Sequence, residues 1–187
     1  MHYPGRRARR PLGAGRSHAM TAAKILPLPD LAQRLEAPRR EGLKIAHCHG
    51  CFDLMHIGHI RHLQAARAMG DLLVVTVTPD AYVDKGEGRP AFGEALRAEA
   101  LAALVCVDLV AICPWPTAVE VIRLLRPHYY VKGQAGEDPT RRSVRLQHEI
   151  ATVRELGGDV RFTREIVFSS TALLNAALRL SSERGSA

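Results

Sequence analysis

Short apolar runs alternate along this chain with stretches of helical spacing, and that alternation limits the fold more than any other feature. IAHCH (45–49), LLVVTVT (72–78), VDLVAI (107–112), HYYV (128–131) and DVRFT (159–163) read as five strands. LLVVTVT is continuous, β-branched and stopped by Pro79, the composition of a strand covered on both faces. Between the strands lie helix patterns. Ile57, Ile60, Leu63 and Ala66 recur at threefold spacing and predict a helix over 57–69, with Gly70 at its C-terminal end. Further helices are predicted over 92–104, over 118–125 with Thr117 as cap, over 142–156 ended by Gly157 and Gly158, and over 169–180. Residues 24–40 predict a leading helix around Leu31, Leu35 and Ala37 that ends near Pro38. Strands alternating with helices of this length predict β-α-β units. The fold class expected is therefore α/β, an open parallel sheet of about five strands with helices on both faces.

In such sheets the ligand site lies beyond the C-terminal ends of the strands, where strand order reverses, and the first strand commonly flanks that point. Here the first strand delivers the chain into HCHGCFDLMHIGHIRH (47–62), which holds five histidines and two cysteines.

Charge narrows the function classes once it is located. The formal net charge is +7, but residues 1–20 carry Arg6, Arg7, Arg9, Arg10 and Arg16 and no acids, which leaves the remainder at +2. The basicity belongs to a Gly/Pro/Arg-rich head read as a disordered basic leader over 1–23, with Met20 as the candidate start; a nucleic-acid-binding arm and a targeting segment are the rival readings. Residues 24–42 are then a leading helix and linker, and 43–187 the functional domain. No apolar run approaches the ~20 residues needed to cross a bilayer. Neither nucleic acid nor membrane is expected as a partner. Cys48, Cys51, Cys106 and Cys113 without a signal-peptide pattern point to a reducing, cytoplasmic setting, with Cys106 a small core residue.

Three chemistries compete for the histidine-rich loop. Cys48-x-x-Cys51 has the spacing of half a zinc site, yet no second CxxC or HxxxH pair follows to close it. A redox pair would normally place its second cysteine at a following helix, and here the helix starts several residues later. The phosphate reading uses the spacing better. Gly50 permits a tight turn in which the amides of Cys51, Phe52 and Asp53 approach a phosphate. His56 and His59, three apart at a helix N-terminus, place two imidazoles on the side that already favours anions, with Gly58 leaving room between them. His47 and His49 read as structural histidines on the strand, and His62 as a surface residue.

GCFDLMHIGH (50–59) resembles the Gly-x-Phe-Asp-x-x-His-x-Gly-His signature of the cytidylyltransferase-like nucleotidyltransferases, which have a Rossmann-like fold. Lys85-Gly86 and Arg89-Pro90, LRAEALAAL…VD (96–108), YVKG (130–133) and SST (169–171) are similar to later segments of the family, and the ADP-heptose synthase branch is the nearest. The resemblance covers roughly residues 43–180. It implies an enzyme that joins a nucleoside triphosphate to a phosphorylated small-molecule acceptor and releases pyrophosphate. It implies catalytic roles for His56, His59 and Lys85, with the turn Gly50, Cys51, Phe52 and Asp53 seating the α-phosphate. Lys132, Arg164, Ser169, Ser170 and Thr171 would complete the nucleotide site, and Mg²⁺ would travel with the triphosphate, with no dedicated protein ligands for it. Family enzymes often pair as homodimers, although no segment here marks an interface.

The chain departs from the branch in two places. Gln134-Ala135-Gly136 follows VKG where Gly-Asp-Tyr is common, and Ala172-Leu173-Leu174-Asn175 follows SST where a basic residue is frequent. The expected reaction is transfer from ATP to a sugar phosphate such as heptose 1-phosphate. The alternatives are CTP with glycerol 3-phosphate or a small phosphate or phosphonate, and, from another class, a non-catalytic nucleotide- or zinc-binding protein.

Overall fold

The computed structural model describes residue 19 and residues 21–164. Within them β1 (Ile45–Gly50), β2 (Leu72–Val77), β3 (Leu109–Ile112), β4 (Tyr129–Gly133) and β5 (Asp159–Thr163) form one sheet. All neighbouring strands pair in parallel, in the order β3-β2-β1-β4-β5. The chain steps outward from β1 to β3, then crosses back to the other side of β1 to lay down β4, so strand order reverses between β1 and β4. Ladder pairing explains why this gap opens. β1 is bonded to β2 along its whole length, from Ile45 opposite Leu72 to Gly50 opposite Val77. Against β4 it pairs only at Ala46 and His47. Beyond His47 the two strand ends no longer bond each other and can flank a ligand.

The helices are α1 (Leu28–Arg34), α2 (Glu36–Arg40), α3 (Ile57–Arg67), α4 (Glu94–Ala102), α5 (Val119–Leu125) and α6 (Val144–Glu155). Side-chain alternation along the strands sorts them onto two faces. Ala46, Cys48, Val75 and Val77 pack against Leu63 and Ala66 of α3 and Ala98 and Leu101 of α4. On the opposite face, Ile45, Val74 and Ala111 meet Leu28 and Leu31 of α1 and Val121 and Leu125 of α5. Tyr130 and Val160 meet Ile122 of α5 and Ile150 and Val153 of α6. The predicted α/β sheet covered on both faces is the observed one.

Several boundaries differ from expectation for identifiable reasons. The leading helix is two helices that meet at Leu35, and Pro38 does not end it. Pro38 sits in the first turn of α2, where its missing N–H has no intrahelical partner to lose. β3 begins two residues late because the Asp108 carboxylate accepts the Leu73 N–H at 2.7 Å and pairs with Arg67 at 2.9 Å. α4 begins at Glu94 and not at Phe92, because the amides of Ala91 and Phe92 donate to Asp53. The segment ahead of α1 belongs to the same core: Leu26 and Lys24 bond Val110 at the outer edge of β3. The Lys24 ammonium donates to the carbonyls of Leu104 and Val107. Such cover removes an open sheet edge. No helix among the described residues is long and apolar enough to cross a membrane.

Candidate active site

The loop after β1 is shaped by one close approach. A Cβ on Gly50 would stand 3.2 Å from the Phe52 ring, so a larger residue would have to push that ring aside by a few tenths of an ångström. Phe52 itself takes φ = 50°, the left-handed region that side chains avoid. Its ring offsets this strain by burial in the core and by an edge-on contact with His59, centroids 5.6 Å apart. The turn thus aims the following residues at the gap between β1 and β4.

His56 caps α3. Its backbone is extended and its Nδ1 accepts the Gly58 N–H at 3.1 Å. Accepting at Nδ1 fixes the neutral tautomer, so Nε2 carries the ring's proton and is its donor. The His59 ring stacks on His56 with centroids 4.0 Å apart and planes 23° from parallel. Burial lowers the His59 pKa to about 4, and the nearby charges of His56, Lys85 and His62 lower it too. His56 is lowered in the same sense by burial and by Lys85. Two stacked rings beside a lysine cannot both hold a proton charge unless an anion arrives. At neutral pH they stand as neutral donors at a helix end that already attracts negative charge.

The two histidines line a cleft of about 260 Å³ together with Gly50, Cys51, Phe52, Lys85 and Lys132. These are seven of the residues assigned from sequence, brought together from three loops and strands. Lys132 lies within β4. Its ammonium donates to the His49 carbonyl at 3.3 Å and lies 3.7 Å from the buried Glu149 carboxylate. Glu149 also accepts the Tyr130 hydroxyl at 2.8 Å and the Ala118 N–H at 3.3 Å. Lys85 enters from a loop whose Gly86 and Gly88 both have positive φ.

His62 is a correction. It is not a surface residue: it lines the cleft, and its Nδ1 bonds the Thr163 hydroxyl at 2.7 Å. Burial, assisted by Lys132, lowers its pKa to about 4. His47 is structural, as expected, whereas His49 also lines the cleft. Both are buried, and both bond the Thr76 hydroxyl, at 2.8 and 2.9 Å. Asp53 was assigned through its amide, and its carboxylate turns away from the cleft into a buried pair with Arg89. Arg164 does not reach the cleft; it is exposed and pairs with Glu137 at 2.9 Å. Ser169, Ser170 and Thr171 lie outside the described residues.

One residue that sequence reasoning passed over holds the site together. Arg97 of α4 is 1% exposed. Its guanidinium donates to the carbonyls of Cys51, Thr78 and Phe92 and to the Asp80 carboxylate. One side chain thereby ties the turn after β1, the exit of β2 and the far end of the Lys85 loop. Its sequence signal was its place in LRAEALAAL, the family-like segment in which it is the lone arginine of an alanine-rich helix.

The zinc reading gains nothing from the geometry. Cys48 is buried in the core, where burial pushes its thiol up to about 12, while Cys51 lines the cleft. Among the described residues no three His, Cys, Asp or Glu groups converge as metal ligands would.

Comparison with known proteins agrees with this geometry. Residues 47–176 match the Cytidylyltransferase-like family model. The Bifunctional protein HldE of Geotalea uraniireducens is 46% identical over 121 residues, 64% of this chain and 25% of that protein. That of Rhodopseudomonas palustris strain ATCC BAA-98 / CGA009 is 44% identical over 166 residues, 86% of this chain and 33% of that protein. The chain thus spans a quarter to a third of the length of these curated relatives. Among solved structures, a lipopolysaccharide core biosynthesis protein from Thermoplasma volcanium superposes with a TM-score of 0.55 at 23% identity, covering 68% of this chain and all of that one. A pantoate–β-alanine ligase from Francisella tularensis gives 0.57 at 9% identity, covering 81% of this chain and 72% of that one. Those two likenesses speak for the fold, and the match across residues 47–176 for the lineage: the chain belongs to the cytidylyltransferase-like family, a family of nucleotidyltransferase enzymes.

Proposed function

We propose that this protein transfers a nucleoside monophosphate from a nucleoside triphosphate, ATP in the first instance, to a sugar phosphate such as heptose 1-phosphate, releasing pyrophosphate. The observation that carries the reading is the stacked pair His56 and His59 at the start of α3, facing a cleft that also holds Lys85 and Lys132. Relatives named HldE support the choice of acceptor.

In the reaction an acceptor phosphate oxygen attacks the α-phosphorus, and the bond from that phosphorus to the bridging oxygen breaks. Pyrophosphate leaves with the bonding electron pair. No proton needs to be removed from an ionised phosphate, so the protein's work is to position two anions and to absorb developing charge. The His56 Nε2–H, the His59 ring and the two lysines supply donors for that charge. Neutral imidazoles suit this task, since they bind without first being charged and gain proton affinity as anionic charge arrives. Mg²⁺ would neutralise the polyphosphate and the departing pyrophosphate. With no cluster of metal ligands among the described residues, it would enter on the nucleotide.

The test is pyrophosphate release with Mg²⁺ across ATP, CTP, GTP and UTP against heptose 1-phosphates, hexose 1-phosphates, glycerol 3-phosphate and small phosphonates. Release with ATP and a sugar 1-phosphate is expected. Turnover with CTP and glycerol 3-phosphate alone would replace the substrate assignment, and silence from protein that binds no nucleotide would end the reading.

A further inference from the structure

A second cleft, of about 340 Å³, opens on the α6 side of the sheet end. It shares His49, Gly50, Cys51, Lys85 and Lys132 with the histidine cleft, so the two are lobes of one groove that straddles the ends of β1 and β4. The far wall of the second lobe carries no histidine of the α3 helix. It carries Thr78, Tyr82 and Asp84 on one side and Ser143 and Arg145 on the other, with the buried Glu149 also lining it.

The charges of this lobe are not equivalent. Lys132 already donates to the His49 carbonyl, and Glu149 beside it offsets part of its charge. Arg145 is exposed, and among the described residues it forms no hydrogen bond or ion pair. Its charge nonetheless reaches the buried His49 ring beneath the groove. An unpaired guanidinium on a cleft wall, beside hydroxyl groups and an aromatic ring, is suited to hold a phosphate attached to a polyhydroxyl body.

Reaction geometry assigns the direction. In phosphoryl transfer the attacking and leaving oxygens lie roughly in line on opposite sides of the phosphorus. If the leaving pyrophosphate is held by His56 and His59 on the α3 side, the attacking oxygen comes from the α6 side. We infer that the α6 lobe is the acceptor subsite, and that Arg145 is the residue which holds the acceptor phosphate and selects for it. This rests on the nucleotidyl transfer proposed above. The acceptor class is a phosphomonoester on a small, neutral, hydroxyl-rich body. Lys85, common to both lobes, lies where the two substrates meet.

The experiment uses the full chain, its Arg145→Ala and Arg145→Lys variants, and heptose 1-phosphate and Mg·ATP as probes. Each ligand is titrated alone by calorimetry, and transfer is followed by pyrophosphate release. Arg145→Ala is expected to weaken heptose 1-phosphate binding and raise its KM by ~10-fold or more, as loss of a charge-assisted hydrogen bond does. Mg·ATP affinity and KM should stay within about twofold of wild type, as loss of a contact confined to the acceptor would leave them. Arg145→Lys, which keeps the charge but not the two-pronged donor, should fall between. An unchanged acceptor affinity, an equal loss for both ligands, or failure of the wild-type protein to bind the sugar phosphate while it binds Mg·ATP would each overturn the inference. Wild-type protein that binds both ligands with the Arg145 dependence, yet releases no pyrophosphate, would sink the proposed transfer and leave the subsite standing.

Discussion

The Asp53 carboxylate forms a buried ion pair with the Arg89 guanidinium, across the base of the loop that carries Lys85. Their side chains are 0% and 5% exposed. Asp53 also accepts the Ala91 N–H at 2.6 Å, and these bonds hold its carboxyl below the usual carboxylate range against the upward push of burial, the largest single influence on it. The acidic residue of the signature is therefore a clasp between the phosphate turn and the Lys85 loop. Replacing Asp53 by Asn leaves a buried arginine uncompensated, a change that typically costs ~3–5 kcal/mol. Urea denaturation should show that loss. The double variant Asp53→Leu, Arg89→Met should recover most of it without recovering nucleotide affinity. Full recovery of both would show that the clasp does not position Lys85.

His59→Ala should slow nucleotidyl transfer by ~10²-fold or more, as removal of a transition-state donor does elsewhere. The fold should persist, because among the described residues the ring contacts of His59 are with His56 and the edge of Phe52, at the rim of the cleft. Steady-state kinetics with circular dichroism on the same preparation checks this. Unchanged turnover would remove His59 from the mechanism.

Arg97 gives a different signature. Its four acceptors lie in three segments, so Arg97→Ala should cost ~3 kcal/mol or more, read as a fall in the urea midpoint. Arg97→Lys keeps the charge but cannot reach three segments from one nitrogen. It should remain folded with a raised nucleotide KM and faster proteolysis of residues 84–88. A lysine variant with wild-type kinetics would reduce Arg97 to a packing residue.

Stability should fall with acid from an unusually high starting point. His59 and His62 are lowered to about 4 and His47 to about 3, in each case mainly by burial. Their unfolded value is near 6.5. Between these limits the unfolded chain binds more protons than the folded one, so stability rises with pH there. The contribution is complete above about pH 6.5 and is lost as pH falls toward 4. Denaturant titrations at pH 7, 6 and 5 should give a slope corresponding to at least ~3 protons taken up on unfolding near pH 5. A flat profile would mean that these imidazoles are charged in the folded protein.

Some of the site was legible because it is local in the chain. Gly50, His56 and His59 act through neighbours within ten residues, and spacing alone placed them at a strand end and a helix start. Lys85 and Lys132 were found through segments that resemble a family, and both reach the groove. What escaped was non-local. His62 looked solvent-facing because its partner, Thr163, lies 101 residues away on β5. Arg145 looked like one more charge on a polar helix, since nothing in its neighbourhood says that α6 packs beside β4.

The sequence by itself determined the alternation of strands and helices, the two-faced burial of the sheet and the histidine pair at the first crossover. These follow from side-chain periodicity and from turn chemistry within a few residues. Only the tertiary structure decided that β4 returns beside β1, that Asp53 faces inward to Arg89, and that two lobes meet over Gly50 and Cys51. Strand order and the pairing of distant charges depend on which surfaces are buried together, and that is settled by packing of the whole core, which no window of sequence contains.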